Sequence, residues 1–137
     1  MIYKPFGQTG INLSALGFGA MRLPMTAERK VDDEKAIPLM QKAFAMGVNY
    51  IDTAYPYNNG DSEVLLGEFM SADPSRREKS YVATKLPVWE LKRNGDQVPL
   101  FETQLRRLQS ETCDFYLLHA VSKNFWDNIK KTRTLEW

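Results

Sequence analysis

The sequence predicts an α/β fold in which parallel strand-plus-helix units follow a short β-hairpin. Three observations carry this. Gly19, Asp52, Lys85 and His119 recur at intervals of 33, 33 and 34 residues, the length of one strand-plus-helix unit. Each closes a short apolar run: Asp52 ends Val48-Asn49-Tyr50-Ile51, Lys85 follows Tyr81-Val82-Ala83-Thr84, and His119 follows Phe115-Tyr116-Leu117-Leu118. Between the runs apolar residues return at helical spacing, and the crossovers are too long for hairpins, so the strands are expected to be parallel.

Residues 1–14 read as the hairpin, with Tyr3 and Phe6 before Gly7-Gln8-Thr9-Gly10 and Ile11 and Leu13 after it, the two glycines supplying the turn. Its expected role is a lid or plug outside the main sheet. Leu16 to Met21 is the first, glycine-rich strand, and Arg22-Leu23-Pro24 leads into a polar connection. The first helix should start at Asp32 or Asp33, with Ile37, Met40 and Phe44 on one face and Gly47 as its stop. Pro38 conflicts with that helix, since a proline past the first turn removes a ladder bond at a cost of about 3 kcal/mol. The helix should therefore start later or kink there. Asp61 or Ser62 can cap a second helix, in which Leu65 pairs with Phe69 and Leu66 with Met70 at i, i+4. The polar run Ser71 to Lys79 then returns the chain to the strand at Tyr81. A third helix is expected after Pro99, with Phe101, Leu105 and Leu108 inward and Arg106 and Arg107 turned to water. A fourth begins around Asn124 with Phe125, Trp126 and Ile129, and has barely started at Trp137.

Eight such units at about 31 residues each make the ~250 residues of a closed TIM-type (β/α)8 barrel. Residues 15–137 supply the first four, so the chain reads as one partial barrel domain, the N-terminal piece of a longer protein. A half barrel exposes the inner faces of its strands and leaves the first and fourth strands with open edges. Self-association through those edges is the expected consequence.

With 137 residues, 43% hydrophobic and 12% aromatic, there is enough apolar material for a core. The 18 basic and 17 acidic side chains give a net charge of +1 and gather into no basic face, which argues against nucleic acid as a partner. No stretch approaches the ~18 apolar residues of a membrane span, and the N-terminus lacks the apolar region of a signal peptide, so the expected address is the cytoplasm. Cys113 is the only cysteine, which rules out an intrachain disulfide and a cysteine-rich metal site. It reads as a buried structural thiol.

Three ionisable groups thus stand where parallel strands end, the place where β/α barrels and open α/β sheets do their chemistry. Asp52-Thr53-Ala54-Tyr55-Pro56-Tyr57 adds a phenol five residues beyond the carboxylate. At these spacings and strand ends, Asp52, Tyr57, Lys85 and His119 resemble the catalytic tetrad of the aldo-keto reductases. Leu16-Gly17-Phe18-Gly19-Ala20-Met21-Arg22-Leu23-Pro24 is similar to that family's first-strand segment, and Gly47 to Ala54, Ser62-Glu63, Ala83-Thr84-Lys85 and Tyr116-Leu117-Leu118-His119 are further family-like stretches. The resemblance covers essentially the whole chain. It implies an NAD(P)H-dependent reductase of aldehydes or ketones, with a small carbonyl compound as substrate and no metal.

Reducing a carbonyl takes a hydride on carbon, which a nicotinamide supplies, and a proton on oxygen, which a side-chain acid must supply. The resemblance gives Tyr57 the acid role. A free tyrosine has a pKa of about 10, so a nearby cation is needed to stabilise the developing phenolate. Lys85 can be that cation, and Asp52 can neutralise and fix it, as a positioning group rather than a base. His119 can donate a hydrogen bond to the substrate carbonyl.

By the same resemblance Gly19, Met21 and Asp52 lie on the nicotinamide side; the competing reading of Gly19 and Met21 is a tight strand followed by a core methionine. Trp89 either lines the substrate pocket or covers the rim. No Gly-x-Gly-x-x-Gly fingerprint follows the first strand, which disfavours a Rossmann-type cofactor site. Asn58-Asn59-Gly60-Asp61-Ser62-Glu63 and Leu86-Pro87-Val88-Trp89 look most like bacterial members that carry a further C-terminal iron-sulfur domain. In the family the NADP phosphate and adenine contacts come mainly from the last barrel strands, outside these 137 residues, which leaves cofactor binding incomplete. Two functional classes follow: a carbonyl reductase, whose truncated chain could itself be inactive, or a non-catalytic fragment or subunit that associates through its open edges. A sugar isomerase on another β/α barrel would need metal-binding carboxylates at several strand ends, and only Asp52 sits suitably. The cofactor that the resemblance implies is NADPH or NADH.

Overall fold

The computed structural model describes residues 1–137. In chain order the elements are β1 (Tyr3–Pro5), β2 (Asn12–Ser14), β3 (Phe18–Gly19), α1 (Asp33–Ala45), β4 (Tyr50–Asp52), α2 (Asp61–Ser71), α3 (Pro74–Glu78), β5 (Tyr81–Pro87), α4 (Gln97–Arg107), β6 (Phe115–His119) and α5 (Lys123–Lys131). Two 3₁₀ turns, Ala20–Arg22 and Tyr57–Gly60, follow β3 and precede α2. β1 and β2 form the antiparallel hairpin, and β3-β4-β5-β6 form a parallel sheet in chain order, as four consecutive units of a β/α barrel should.

The register explains the sequence spacing. Gly19 lies level with Asp52, Asp52 with Ala83, and Lys85 with Leu117. Lys85 therefore stands two residues above the level of Asp52, and His119 two above the level of Lys85. Because strand side chains alternate faces, a stagger of two keeps all of these positions on the inner face while climbing around the sheet. Tyr50, Tyr81 and Phe115 share that face at the other end of the strands, where Phe6 meets Phe115 edge-on with ring centroids 5.1 Å apart.

The outer face meets the helices and is mostly apolar, with Thr84 and Tyr116 as polar exceptions that bond to helix side chains. Ile51 and Val82 join Met40, Leu66 and Phe69 in one core cluster, and Leu86 joins Val88, Leu91 and Ile129 in a second. On α2 both expected pairs, Leu65 with Phe69 and Leu66 with Met70, are buried. The hairpin is a plug at the N-terminal end of the strands, not a lid over the other end. Tyr3 Oη donates to the Gly47 carbonyl at 2.8 Å, the Ser14 amide donates to Asn49 Oδ1 at 2.7 Å, and Gly7 and Gly10 take the left-handed turn positions with φ of 56° and 78°.

Several expectations are corrected. The first strand keeps only Phe18 and Gly19, because the chain coils into the Ala20–Arg22 turn. α1 starts at Asp33 and continues through Pro38, which lies on an exposed turn where the unbonded carbonyl meets water. Asp32 is the N-cap by position, but its carboxylate holds Lys35 instead of backbone N–H groups. Gly60, not Asp61 or Ser62, is the N-cap of α2, and the Ser62 hydroxyl is drawn inward to Thr53 and the Ala20 carbonyl. The polar run before β5 contains α3, with Pro74 at its first position and Asp73 accepting from the Ser75 amide. Lys85 lies within β5 rather than at its end, since pairing with β6 carries the strand on to Pro87.

α4 begins at Gln97, two residues ahead of Pro99, whose missing N–H costs nothing in the first turn. Arg106 is exposed as expected, but Arg107 is not: it turns inward to a buried carboxylate. α5 is complete at Lys131, and the chain goes on through a turned segment tied back to Gln97 by Thr132 and Thr134. Cys113 is half-buried; burial and the neighbouring Asp114 carboxylate push its thiol up to about 11. No helix is long and apolar enough to cross a membrane.

Candidate active site

Asp52 and Lys85 project from β4 and β5 at the C-terminal end of the sheet, where the two-residue stagger brings their side chains together. Lys85 Nζ donates to Asp52 Oδ1 at 2.7 Å, to the Thr53 carbonyl at 2.8 Å and to Tyr57 Oη at 3.1 Å. These three bonds use all three ammonium protons and leave the cation one conformation. They also settle the polarity of the Tyr57 contact: the phenol oxygen accepts from Lys85, so its own proton is free to be given elsewhere. Lys85 Nζ lies 4.6 Å from the centre of the Tyr57 ring, and its side chain is mostly buried, so the charge acts through little water.

Tyr57 is carried by the turn after β4, closed by its amide bonding to the Ala54 carbonyl at 3.1 Å. Past it the backbone is left-handed for three residues, Asn58, Asn59 and Gly60, with φ of 51°, 59° and 97°. Asparagine and glycine tolerate this conformation best. With its amide nitrogen turned toward carbonyls, Asn58 donates to Ala20 and Met21, each at 3.3 Å, and ties the turn to the segment after β3.

His119 ends β6 and faces the same space. Its ring stands edge-on to Tyr57 at 5.7 Å between centroids and 5.1 Å from the Trp89 ring, which in turn neighbours Phe125. Partial burial, and next the Lys85 charge, lower its pKa below 6.5 against an opposing pull from Asp52, so the imidazole is neutral at pH 7. Its Nδ1 is buried and has no hydrogen-bond partner. A neutral imidazole has one N–H to donate and one lone pair to accept with.

Of the residues singled out by sequence, Asp52, Tyr57, Lys85, His119 and Trp89 converge on one mouth. Gly19 ends β3 level with Asp52, and Met21 follows in the Ala20–Arg22 turn that Asn58 ties down. Met21 is 55% exposed and not a core residue, and a Cβ placed on Gly19 would meet no heavy atom within 4 Å. Gly19 thus leaves open backbone beside the Asp52 carboxylate. No group of three or more His, Cys, Asp or Glu side chains gathers anywhere in the fold.

Sequence reasoning missed the layer behind the mouth. Glu63 on α2 is fully buried and accepts from Thr84 Oγ1 at 2.6 Å, Gln104 Nε2 at 2.7 Å and Arg107 at 3.0 Å. Gln104 also donates to the Lys85 carbonyl at 3.1 Å and accepts from Tyr116 Oη at 2.7 Å. One signal was readable: Gln104 occupies the i+3 position between Phe101 and Leu108, a polar residue on an apolar stripe. Thr53 contributes a carbonyl, which side-chain identity cannot announce.

A four-stranded parallel β/α sheet with Asp52, Tyr57, Lys85 and His119 gathered at its C-terminal end defines a partial β/α barrel. The chain belongs to the aldo/keto reductase family, whose model matches residues 15–132. The 6-dehydroglucose reductase of Novosphingobium aromaticivorans is 31% identical over 127 residues, covering 85% of this chain and 41% of that protein. Among solved structures, the thermostable aldo-keto reductase Tm1743 in complex with the inhibitor epalrestat superposes with a TM-score of 0.74 at 28% identity, over 99% of this chain and 51% of its own. The holo form of aldo-keto reductase AKR11C1 from Bacillus halodurans gives 0.72 at 27%, over 99% and 46%. The solved relatives are (β/α)8 barrels, and the chain spans about half of their length.

Proposed function

We propose that this chain carries the carbonyl-reducing site of an NAD(P)H-dependent aldo-keto reductase, with Tyr57 as general acid. The observation that supports this best is the Lys85 ammonium, bonded at once to Asp52, to the Thr53 carbonyl and to Tyr57 Oη. Family membership supports the oxidoreductase class. A reduced nicotinamide, when bound, supplies the hydride that the carbonyl carbon receives; Gly19, Met21 and Asp52 are the residues suited to hold its ring side.

The protein's own part is the proton. Tyr57 gives its hydroxyl proton to the carbonyl oxygen as the C–O double bond becomes single, so that an aldehyde or ketone leaves as the alcohol. Lys85 stabilises the charge left on the Tyr57 oxygen, and Asp52 keeps the ammonium from swinging away. His119, neutral, donates a hydrogen bond that polarises and orients the carbonyl, while Trp89 walls the pocket beside it.

The test is Tyr57→Phe, which keeps the ring and removes only the proton donor. Fluorescence titration with NADPH should give the same dissociation constant for both proteins, and reduction of a panel of aldehydes should fall by at least about 100-fold in the variant. Undiminished reduction by Tyr57→Phe, or no reduction by the parent chain, would reject this reading for the chain.

A further inference from the structure

We propose that Arg107, paired with Glu63, is a positioning residue for Tyr57; this deepens the reading of Tyr57 as the acid and rests on it. Arg107 is the last residue of α4, and its side chain is partly buried against α2 and the turn after β4. Four contacts make it a clamp on the turn that carries Tyr57. It donates to the Tyr55 carbonyl at 3.0 Å, it pairs with Glu63 at 3.0 Å, its guanidinium lies 4.5 Å from the centre of the Tyr55 ring, and it fills the space under Gly60, where a Cβ would come within 2.9 Å of Cζ.

Tyr57 lies between the two clamped points, Tyr55 and Gly60. Asn58 and Asn59 hold left-handed conformations that an unconstrained chain would leave. The same carboxylate reaches the other half of the site, because Glu63 also receives Thr84 and Gln104, and Gln104 holds the carbonyl of Lys85. One fully buried anion thus fixes both the turn bearing Tyr57 and the strand bearing Lys85, whose tips meet at 3.1 Å. A guanidinium suits this position better than an ammonium, since its planar fork can stack on Tyr55 while donating to a carbonyl and a carboxylate.

Two variants of the full chain test this: Arg107→Lys, and the double variant Glu63→Gln/Arg107→Met, which leaves no buried charge without a partner. The readout is the Tyr57 resonance in protein labelled at the tyrosine Cζ carbon, assigned with Tyr57→Phe. The expected result is unchanged far-ultraviolet dichroism, an unmoved Tyr81 resonance, and a Tyr57 resonance that shifts or broadens by more than its parent linewidth. With an aldehyde substrate, kcat should fall about 10- to 100-fold while the KM for NADPH stays within about twofold. A pair that merely stabilised the fold would lower the melting temperature and leave the Tyr57 resonance in place, and that outcome overturns the proposal. If the double variant does not fold, the resonance in Arg107→Lys decides alone. If the parent reduces no aldehyde, the functional reading fails, and the Tyr57 resonance still decides whether Arg107 positions that residue.

Discussion

Gly67 is where the packing behind the site can be probed without any substrate. It lies in α2 with α4 directly against it: a Cβ there would stand 2.4 Å from the Arg107 carbonyl oxygen and 2.7 Å from the Leu108 carbonyl carbon. Both are backbone atoms and cannot rotate away. To reach ordinary contact beyond 3.4 Å the two helices must part by about 1 Å. That separation acts directly on the Glu63–Arg107 pair, which bridges the same helices at 3.0 Å. Overpacking against a rigid wall costs up to about 3 kcal/mol. Loosening hydrogen bonds to a buried charge adds about 1–2 kcal/mol, and the better helix propensity of alanine returns about 1 kcal/mol. Gly67→Ala should therefore destabilise the chain by about 3 kcal/mol, or roughly 10 °C in Tm. Urea unfolding followed by circular dichroism measures this, with Gly19→Ala as the control. Gly19 has open space on its Cβ side, so its substitution should stay within about 0.5 kcal/mol. If Gly67→Ala is as stable as the parent, α2 and α4 do not meet at this residue and the packing argument fails.

The site and its neighbours give three more expectations. His119 is the only histidine, and its lowered pKa means that the unfolded chain takes up the proton first as pH falls; the stability tied to this group is full above about pH 6.5 and is lost below it. Its single imidazole resonance should titrate with a midpoint under 6.5, and a midpoint at or above that value would contradict the burial argument. Cys113, pushed up to about 11, should react with an aromatic disulfide at pH 8 far more slowly in the folded chain than in urea; equal rates would mean that the thiol is free. Lys85→Met should reduce aldehyde turnover by about 100-fold or more while NADPH affinity changes only a few-fold, and a parallel loss of both would show that Lys85 holds the cofactor rather than the phenol.

The sequence by itself determined the unit, its repeat and the four polar tips. Period-2 and period-3.6 patterns are local, and a spacing of one strand-plus-helix unit puts Asp52, Lys85 and His119 on successive parallel strands whatever the packing. The tertiary structure decided their relative heights, because the two-residue stagger depends on inter-strand register, which nothing within one strand records. It also decided Arg107. By helical period that residue belongs on the water side, yet a buried carboxylate on α2 and an aromatic ring on the Tyr57 turn draw it inward. A lone arginine gives no sign of this, since desolvating it becomes favourable only when Glu63, 44 residues away in the chain, arrives to accept it.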